Sequence, residues 1–205
     1  MNNFNSEGNG DKMDLKKMYS EHSLRENPPG NFRPDEVLID TVGGKMVHGD
    51  SALDLSNKAV NSLYLAQEGF YVAAVAPDPE LVADTASKAE ETGANIKVYS
   101  SDLTALPFPE GEFDIAYDDR WFDHIGYVER GKYAEEMWRI LKPGGYLILV
   151  TVQCRNARTC CDRGDPYIMF RSIFDIEEIR DVTSLYMDSR QRMFSMLMKK
   201  KATTS

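Results

Sequence analysis

A parallel α/β sheet closed by a C-terminal antiparallel hairpin is the fold class this sequence predicts, and three observations carry the prediction. From Ser51 onward short apolar runs alternate with stretches of helical periodicity, turn residues separate them, and after the fifth run two extended segments follow one another. Alternation of this kind means parallel pairing, because parallel neighbours need a crossover long enough for a helix, and that crossover is right-handed. Length agrees: 205 residues, 42% hydrophobic and 28% charged, suit one globular core and are too few for two large ones.

Residues 1–12 are rich in Asn and Gly and carry almost no apolar surface, so they are expected to form a disordered tail. Residues 13–50 are expected to be a helical extension. A short helix over Met13–Glu26 is ended by Asn27-Pro28-Pro29-Gly30-Asn31, and a second starts near Pro34 and runs through Val37-Leu38-Ile39. Residues 51–200 form the α/β domain. Its strands are expected at Ala52–Leu55, Tyr71–Val75, Ile96–Tyr99, Phe113–Tyr117 and Tyr146–Val152, with helices over Ala59–Gln67, Pro79–Glu91 and Gly131–Leu141. The last helix carries Tyr133, Met137, Trp138 and Leu141 and stops at Lys142-Pro143-Gly144-Gly145. Beyond the fifth strand, Phe174–Asp181 reads as a short helix. Val182–Met187 and Arg192–Met198 read as a hairpin joined by Asp188-Ser189-Arg190-Gln191. The sum is a seven-stranded sheet, five strands parallel.

The formal net charge of -9 opposes a phosphate-tracking nucleic-acid surface or an anionic membrane as partner, which leaves a small molecule or another protein. No run approaches ~18 apolar residues, and Met1–Asp14 lacks the apolar core of a signal peptide, so a soluble cytoplasmic protein is expected. Cys154, Cys160 and Cys161 crowd one stretch among Arg155, Arg158 and Arg163. Such arginines favour the thiolate and a redox or soft-metal site, whereas free structural thiols need no further ligand. An odd number of cysteines is no disulfide framework, and His22, His48 and His124 form no paired ligand spacing, so no metal is expected.

Two segments point to a family. Glu135–Val150, centred on Arg139-Ile140-Leu141-Lys142-Pro143-Gly144-Gly145, and Asp102-Leu103-Thr104-Ala105-Leu106-Pro107-Phe108 running on to Asp114, stand in the order found in class I S-adenosylmethionine-dependent methyltransferases. The whole stretch Ala52–Val150 resembles that family, in particular its small tellurite-resistance type, and Asn61-Ser62-Leu63-Tyr64-Leu65-Ala66 resembles its first helix. The resemblance implies a Rossmann-like sheet with a terminal antiparallel hairpin, S-adenosylmethionine as cofactor, and a small-molecule acceptor. It also implies roles at particular positions: Asp54 at the end of the first strand, Asp102 beside the adenine amino group with Leu103 packed on the ring, and Asp118 at the end of the fourth strand.

Two departures accompany the resemblance. The family follows its first strand with G-x-G-x-G, a turn that lets main-chain amides approach the methionine part of the cofactor, but here Ser56, Lys58 and Val60 stand in the three glycine positions. The family ends its second strand in an acid that accepts both ribose hydroxyls; here Val75-Ala76-Pro77-Asp78-Pro79 puts Ala76 in that place. Asp78, two residues on, either reaches the ribose from a rearranged loop or caps the helix that begins at Pro79. In Asp118-Asp119-Arg120-Trp121-Phe122-Asp123-His124, the carboxylates either meet a cationic cofactor or substrate, or are loop groups paired with Arg120. His124 and Asp119 are the candidate catalytic groups, and in-line methyl transfer needs proximity more than a base. The resemblance implies that Tyr19, Asn31, Phe32 and Arg33 supply a lid, as the N-terminal segment does in that family, with Arg33 as a surface charge the alternative.

Two functions from different classes are therefore open. One is methyl transfer to a small molecule, with Asp54, Ser56, Asp78, Asp102, Leu103 and Asp118 around the cofactor. The other is a methyltransferase fold that has lost cofactor binding and acts as a ligand-binding or scaffold protein.

Overall fold

The structure is a computed structural model, and it describes residues 33–153, 164–182 and 192–201. Seven strands form one sheet in the order β3-β2-β1-β4-β5-β7-β6: β1 (Ser51–Asp54), β2 (Tyr71–Ala76), β3 (Ile96–Ser100), β4 (Phe113–Asp119), β5 (Leu141–Gln153), β6 (Phe174–Val182) and β7 (Arg192–Lys200). All pairs from β3 across to β5 are parallel, and β7 is antiparallel to both β5 and β6. A terminal antiparallel hairpin is present as expected, but its first strand is Phe174–Val182 rather than Val182–Met187, of which only Val182 lies within the described residues. Because β7 reverses direction twice over, β6 runs the same way as β1 to β5, which makes six co-directed strands rather than five.

The helices are α1 (Glu36–Leu38, continued by a π turn over Ile39–Gly43), α2 (Ala59–Gln67), α3 (Ala83–Thr92, preceded by a 3-10 turn at Pro79–Val82), α4 (Trp121–His124), α5 (Arg130–Ile140) and α6 (Gly164–Phe170). β1 and β2 are buried on both faces, as central strands of a sheet flanked by helices are. From α1, Val37, Leu38 and Val42 join Leu65, Val72 and Ile115 in a common core. The extension ahead of residue 51 thus belongs in part to the core of the sheet domain. The expected helix over Met13–Glu26 and the hairpin turn lie outside the described residues.

One expected element is overturned: Phe174–Asp181 is not a helix but most of strand β6. Phe174 and Ile176 alternate as strand residues do, and then Ile179 and Val182 follow at intervals of three, which mimics helical spacing. Ile179 breaks the apolar alternation because it stands on the exposed face, and the strand also carries a bulge. Ile176 faces Met198 while Glu178 faces Leu197, so Glu177 is an extra residue against one step of β7.

A second irregularity fixes the turn into β5. Phe113 pairs with Leu141 and Ile115 with Tyr146, so Lys142-Pro143-Gly144-Gly145 bulges out between them. Nearby, Gly49 (φ 152°) lies against Asp114, and an added Cβ would sit 2.1 Å from the Asp114 Cβ. Asp114 has no room to yield: Lys142 Nζ (2.8 Å), Ser51 Oγ (2.8 Å) and the Asp50 N–H (2.9 Å) all donate to its Oδ2. Those donors hold its carboxyl well below the usual carboxylate range despite some burial. Gly49→Ala is accordingly expected to lower unfolding free energy by about 3 kcal/mol, combining overpacking with a left-handed φ. Urea denaturation checks this, and an unchanged midpoint would contradict it.

Candidate functional site

In a parallel sheet the loops following every strand lie at one edge. Asp54 faces Ala74 and Tyr117, and Ala76 faces Ser100, so Asp54, Asp78, Asp102 and Asp118 all stand at the C-terminal edge, as the strand directions require.

Asp54 is buried at the end of β1. The Ser56 N–H donates to its Oδ1 (2.8 Å) and the Ser62 hydroxyl to its Oδ2. Burial raises its pKa, and these bonds work in the opposite direction. Ser56 Oγ accepts from the Lys58 N–H at 3.3 Å, so the first of the substituted glycine positions is tied into its own loop. Asn57 between them has φ 54°, and its buried Oδ1 has no hydrogen-bond donor among the described residues.

Lys58 is the residue that changes the site. It precedes α2 in an extended conformation, and its side chain is 7% exposed. Its ammonium lies 2.9 and 3.1 Å from the two oxygens of Asp35 and 2.6 Å from Asp119 Oδ2. Asp35, just ahead of α1, is further held by Asn61 Nδ2 (2.7 Å) and the Tyr117 hydroxyl (2.9 Å), while its own N–H donates to Asn61 Oδ1 (3.0 Å). Asp119 also lies 3.3 Å from Arg120 Nε. Burial pushes the Asp119 carboxyl up, Lys58 pulls it down, and Asp35 pushes it up again. A lysine, two aspartates, a tyrosine and an asparagine from α1, α2, β4 and their flanking loops thus form one buried polar cluster.

Strand alternation sends the next carboxylate the other way. Asp118 accepts from the Trp121 N–H (2.7 Å) and the Tyr133 hydroxyl, against α5, and burial raises its pKa to about 8. Asp123 accepts from the Thr151 hydroxyl and the Val152 N–H (3.1 Å), and burial raises it to about 6. His124, at the end of α4, meets the Trp121 ring edge-on at 6.4 Å between centroids. Asp119, by contrast, pairs with Lys58.

At the second strand, Ala76 is fully buried. Asp78 accepts from the Glu80 N–H at 2.9 Å, the bond of an N-cap, and has a further contact besides. Asp102 is exposed and takes the Thr104 N–H and hydroxyl, each at 2.8 Å, while Leu103 is buried. The segment behind them is clamped to α5: Glu136 Oε1 accepts the Leu106 N–H (2.6 Å), and Arg139 donates to the carbonyls of Phe108 (2.7 Å) and Leu106 (3.2 Å). Arg33 is exposed and lies 3.9 Å from Glu36. Tyr19, Asn31, Phe32 and the three cysteines lie outside the described residues. Among the described residues no three His, Cys, Asp or Glu side chains are grouped to hold a metal ion, and no helix is long and apolar enough to cross a membrane.

Sequence reasoning missed Asp35, Asn61 and Tyr117. The signal was faint: a lysine in a glycine loop must find a countercharge if buried, but nothing in the sequence names an aspartate 23 residues earlier.

Comparison with known proteins agrees with this architecture. A family model described as a methyltransferase domain matches residues 53–149. Demethylmenaquinone methyltransferase of Thermus thermophilus is 35% identical over 75 residues, covering 35% of this chain and 32% of that protein. 2-Methyl-6-phytyl-1,4-hydroquinone methyltransferase of Synechocystis is 29% identical over 99 residues, covering 48% of this chain and 30% of that protein. The matches therefore span about a third of the length of these curated relatives. Among solved structures, a Burkholderia thailandensis 1,6-didemethyltoxoflavin-N1-methyltransferase with bound 1,6-didemethyltoxoflavin and S-adenosylhomocysteine superimposes with a TM-score of 0.67 at 16% identity, covering 92% of this chain and 88% of that one. Residues 53–149, a little under half of the chain, match that methyltransferase domain, which supports a class I S-adenosylmethionine-dependent methyltransferase.

S-adenosylmethionine is the cofactor of that family. The residues present here do not suit it in the family's manner. Where a glycine would leave room for the methionine part, the Lys58 side chain is buried and ion-paired, and where an acid would take the ribose hydroxyls, Ala76 offers no acceptor.

Proposed function

We propose that this chain is a methyltransferase fold that no longer transfers methyl groups and serves as a ligand-binding or scaffold protein. The observation that carries this reading is the burial of Lys58 between Asp35 and Asp119 in the glycine loop. Ala76 supports it, since loss of the ribose acid removes a second, independent cofactor contact. The Asn57 Oδ1, buried and without a donor among the described residues, favours a small ligand bearing an N–H or O–H over an inert scaffold, because a buried acceptor left unpaired is costly.

A second reading, S-adenosylmethionine-dependent methylation of a small-molecule acceptor, draws on Asp54, Asp102 and Leu103, which stand at the C-terminal edge on a clamped segment. Calorimetric titration of the full chain with S-adenosylmethionine and S-adenosylhomocysteine separates the two. The expected outcome is weak binding, in the millimolar range, or none. Micromolar binding abolished by Asp102→Ala would sink the first reading and establish the second.

A further inference from the structure

Lys58 does more than obstruct. A buried ammonium is tolerated only where anionic groups replace its water shell, and here two carboxylates from opposite sides of the cluster do so at 2.6 to 3.1 Å. One of those carboxylates, Asp119, belongs to the edge of the sheet; the other, Asp35, belongs to the segment leading into α1, outside the part of the chain that matches the family model. Tyr117 and Asn61 then donate to Asp35, so the cage is built to present negative charge to a cation at one point.

We infer that Lys58 is this protein's internal replacement for a bound organic cation, and that the Asp35–Asp119 cage is a site for a primary alkylammonium group which the chain fills from its own sequence. This inference rests on the reading that the cofactor is not bound. It assigns the cage a ligand class, and it gives the lysine a positive role: neutralising carboxylates that would otherwise repel one another in a region of low dielectric.

The test is chemical rescue in the full-length chain. Lys58→Ala removes Cγ through Nζ, a fragment the size of n-propylammonium, and leaves Asp35 and Asp119 without the ammonium between them, with Arg120 beside Asp119 and Asn61 and Tyr117 on Asp35. The thermal midpoint is expected to fall by about 10 °C. About 100 mM n-propylammonium is expected to recover a large part of that loss, while sodium chloride at equal ionic strength does not, and the unaltered chain does not respond to the amine. Should Lys58→Ala not fold, Lys58→Met keeps the stem without the charge, and the triple variant D35N/K58M/D119N removes all three charges together. Lys58→Met is expected to melt well below the triple variant, because a lone buried cluster of like charge costs more than neutral groups of the same shape. Equal recovery with sodium, a Lys58→Ala variant as stable as the parent, or a triple variant no more stable than Lys58→Met would each overturn the inference. These outcomes are independent of the cofactor titration of the unaltered chain: tight S-adenosylmethionine binding there defeats the non-catalytic reading, whereas failed rescue with no cofactor binding defeats only the cation cage.

Discussion

Replacing Ser56 and Lys58 with glycine and Ala76 with aspartate in one chain is expected to raise affinity for S-adenosylmethionine by a factor of ~30 to 1,000. The estimate comes from the ribose. A carboxylate accepting two hydroxyls makes a pair of charge-assisted bonds, together roughly 2 to 4 kcal/mol, and Ala76 makes neither. Opening the loop adds to this by removing a buried side chain from where the family lets backbone meet cofactor. The gain has a cost in the ligand-free state. Ala76 is fully buried and Asp35 and Asp119 lose their lysine, so the variant is expected to melt lower alone and to recover midpoint as cofactor is added. Calorimetry reads the affinity and thermal denaturation the recovery. A variant that folds yet binds no better than the parent would show that something other than these three positions keeps the cofactor out.

Raising the pH from about 5 to about 9 is expected to destabilise the protein. Asp118, with a pKa of about 8, and Asp123, with one of about 6, are raised mainly by burial, and Asp54 and Asp119 shift in the same direction. Unfolded aspartates titrate near 3.9, so between that value and the folded pKa the native chain holds protons that the unfolded chain has released. The stability this contributes is complete below about 3.9 and is lost as the pH rises through about 6 and then about 8. Asp114, whose pKa is lowered, has the opposite sign, but its contribution is already in place by pH 5. Burial raises Asp118, the charges of Asp123 and Asp119 add to the rise, and the bonds from Tyr133 and the Trp121 N–H oppose it. Asp118→Asn is expected to flatten the dependence by roughly 2 to 4 kcal/mol between pH 6 and 9, measured as the change in urea unfolding free energy. A parent chain equally stable at both pH values would contradict the assignment of Asp118 as protonated in the fold near neutral pH.

What the sequence disclosed and what it hid follow from range. β1, β2 and β3 lie where short runs placed them: β1 and β2 are buried on both faces, while β3 at the sheet's edge is half-buried or exposed throughout. β6 was hidden, because Ile179 stands on the exposed face of an alternating strand and, with Ile176 and Val182, shows the spacing of a helix. α4 is one turn long and too short for any periodic signal. At the site, local features were legible: the Asp78 cap follows from Pro79, and the Asp102 turn from its neighbours. The absence of glycine at positions 56, 58 and 60 was also plain, but not what Lys58 would do there. Its partners lie 23 residues before it and 61 after it in sequence, brought together only by the sheet.

The position of β7 has a consequence for how the chain assembles. It lies between β5 and β6 and supplies all of β6's backbone pairing within the sheet. A nascent chain that has emerged as far as Val182 therefore has β6 in hand with nowhere to dock, and its polar edge, Asp175, Glu177, Glu178 and Arg180, suits that wait in solvent. Only when Arg192–Lys200 leaves the ribosome can β7 zip along β5 and recruit β6 in the same step. The two strands join as one cooperative unit, so shortening the chain ahead of Arg192 strips both from the sheet at once.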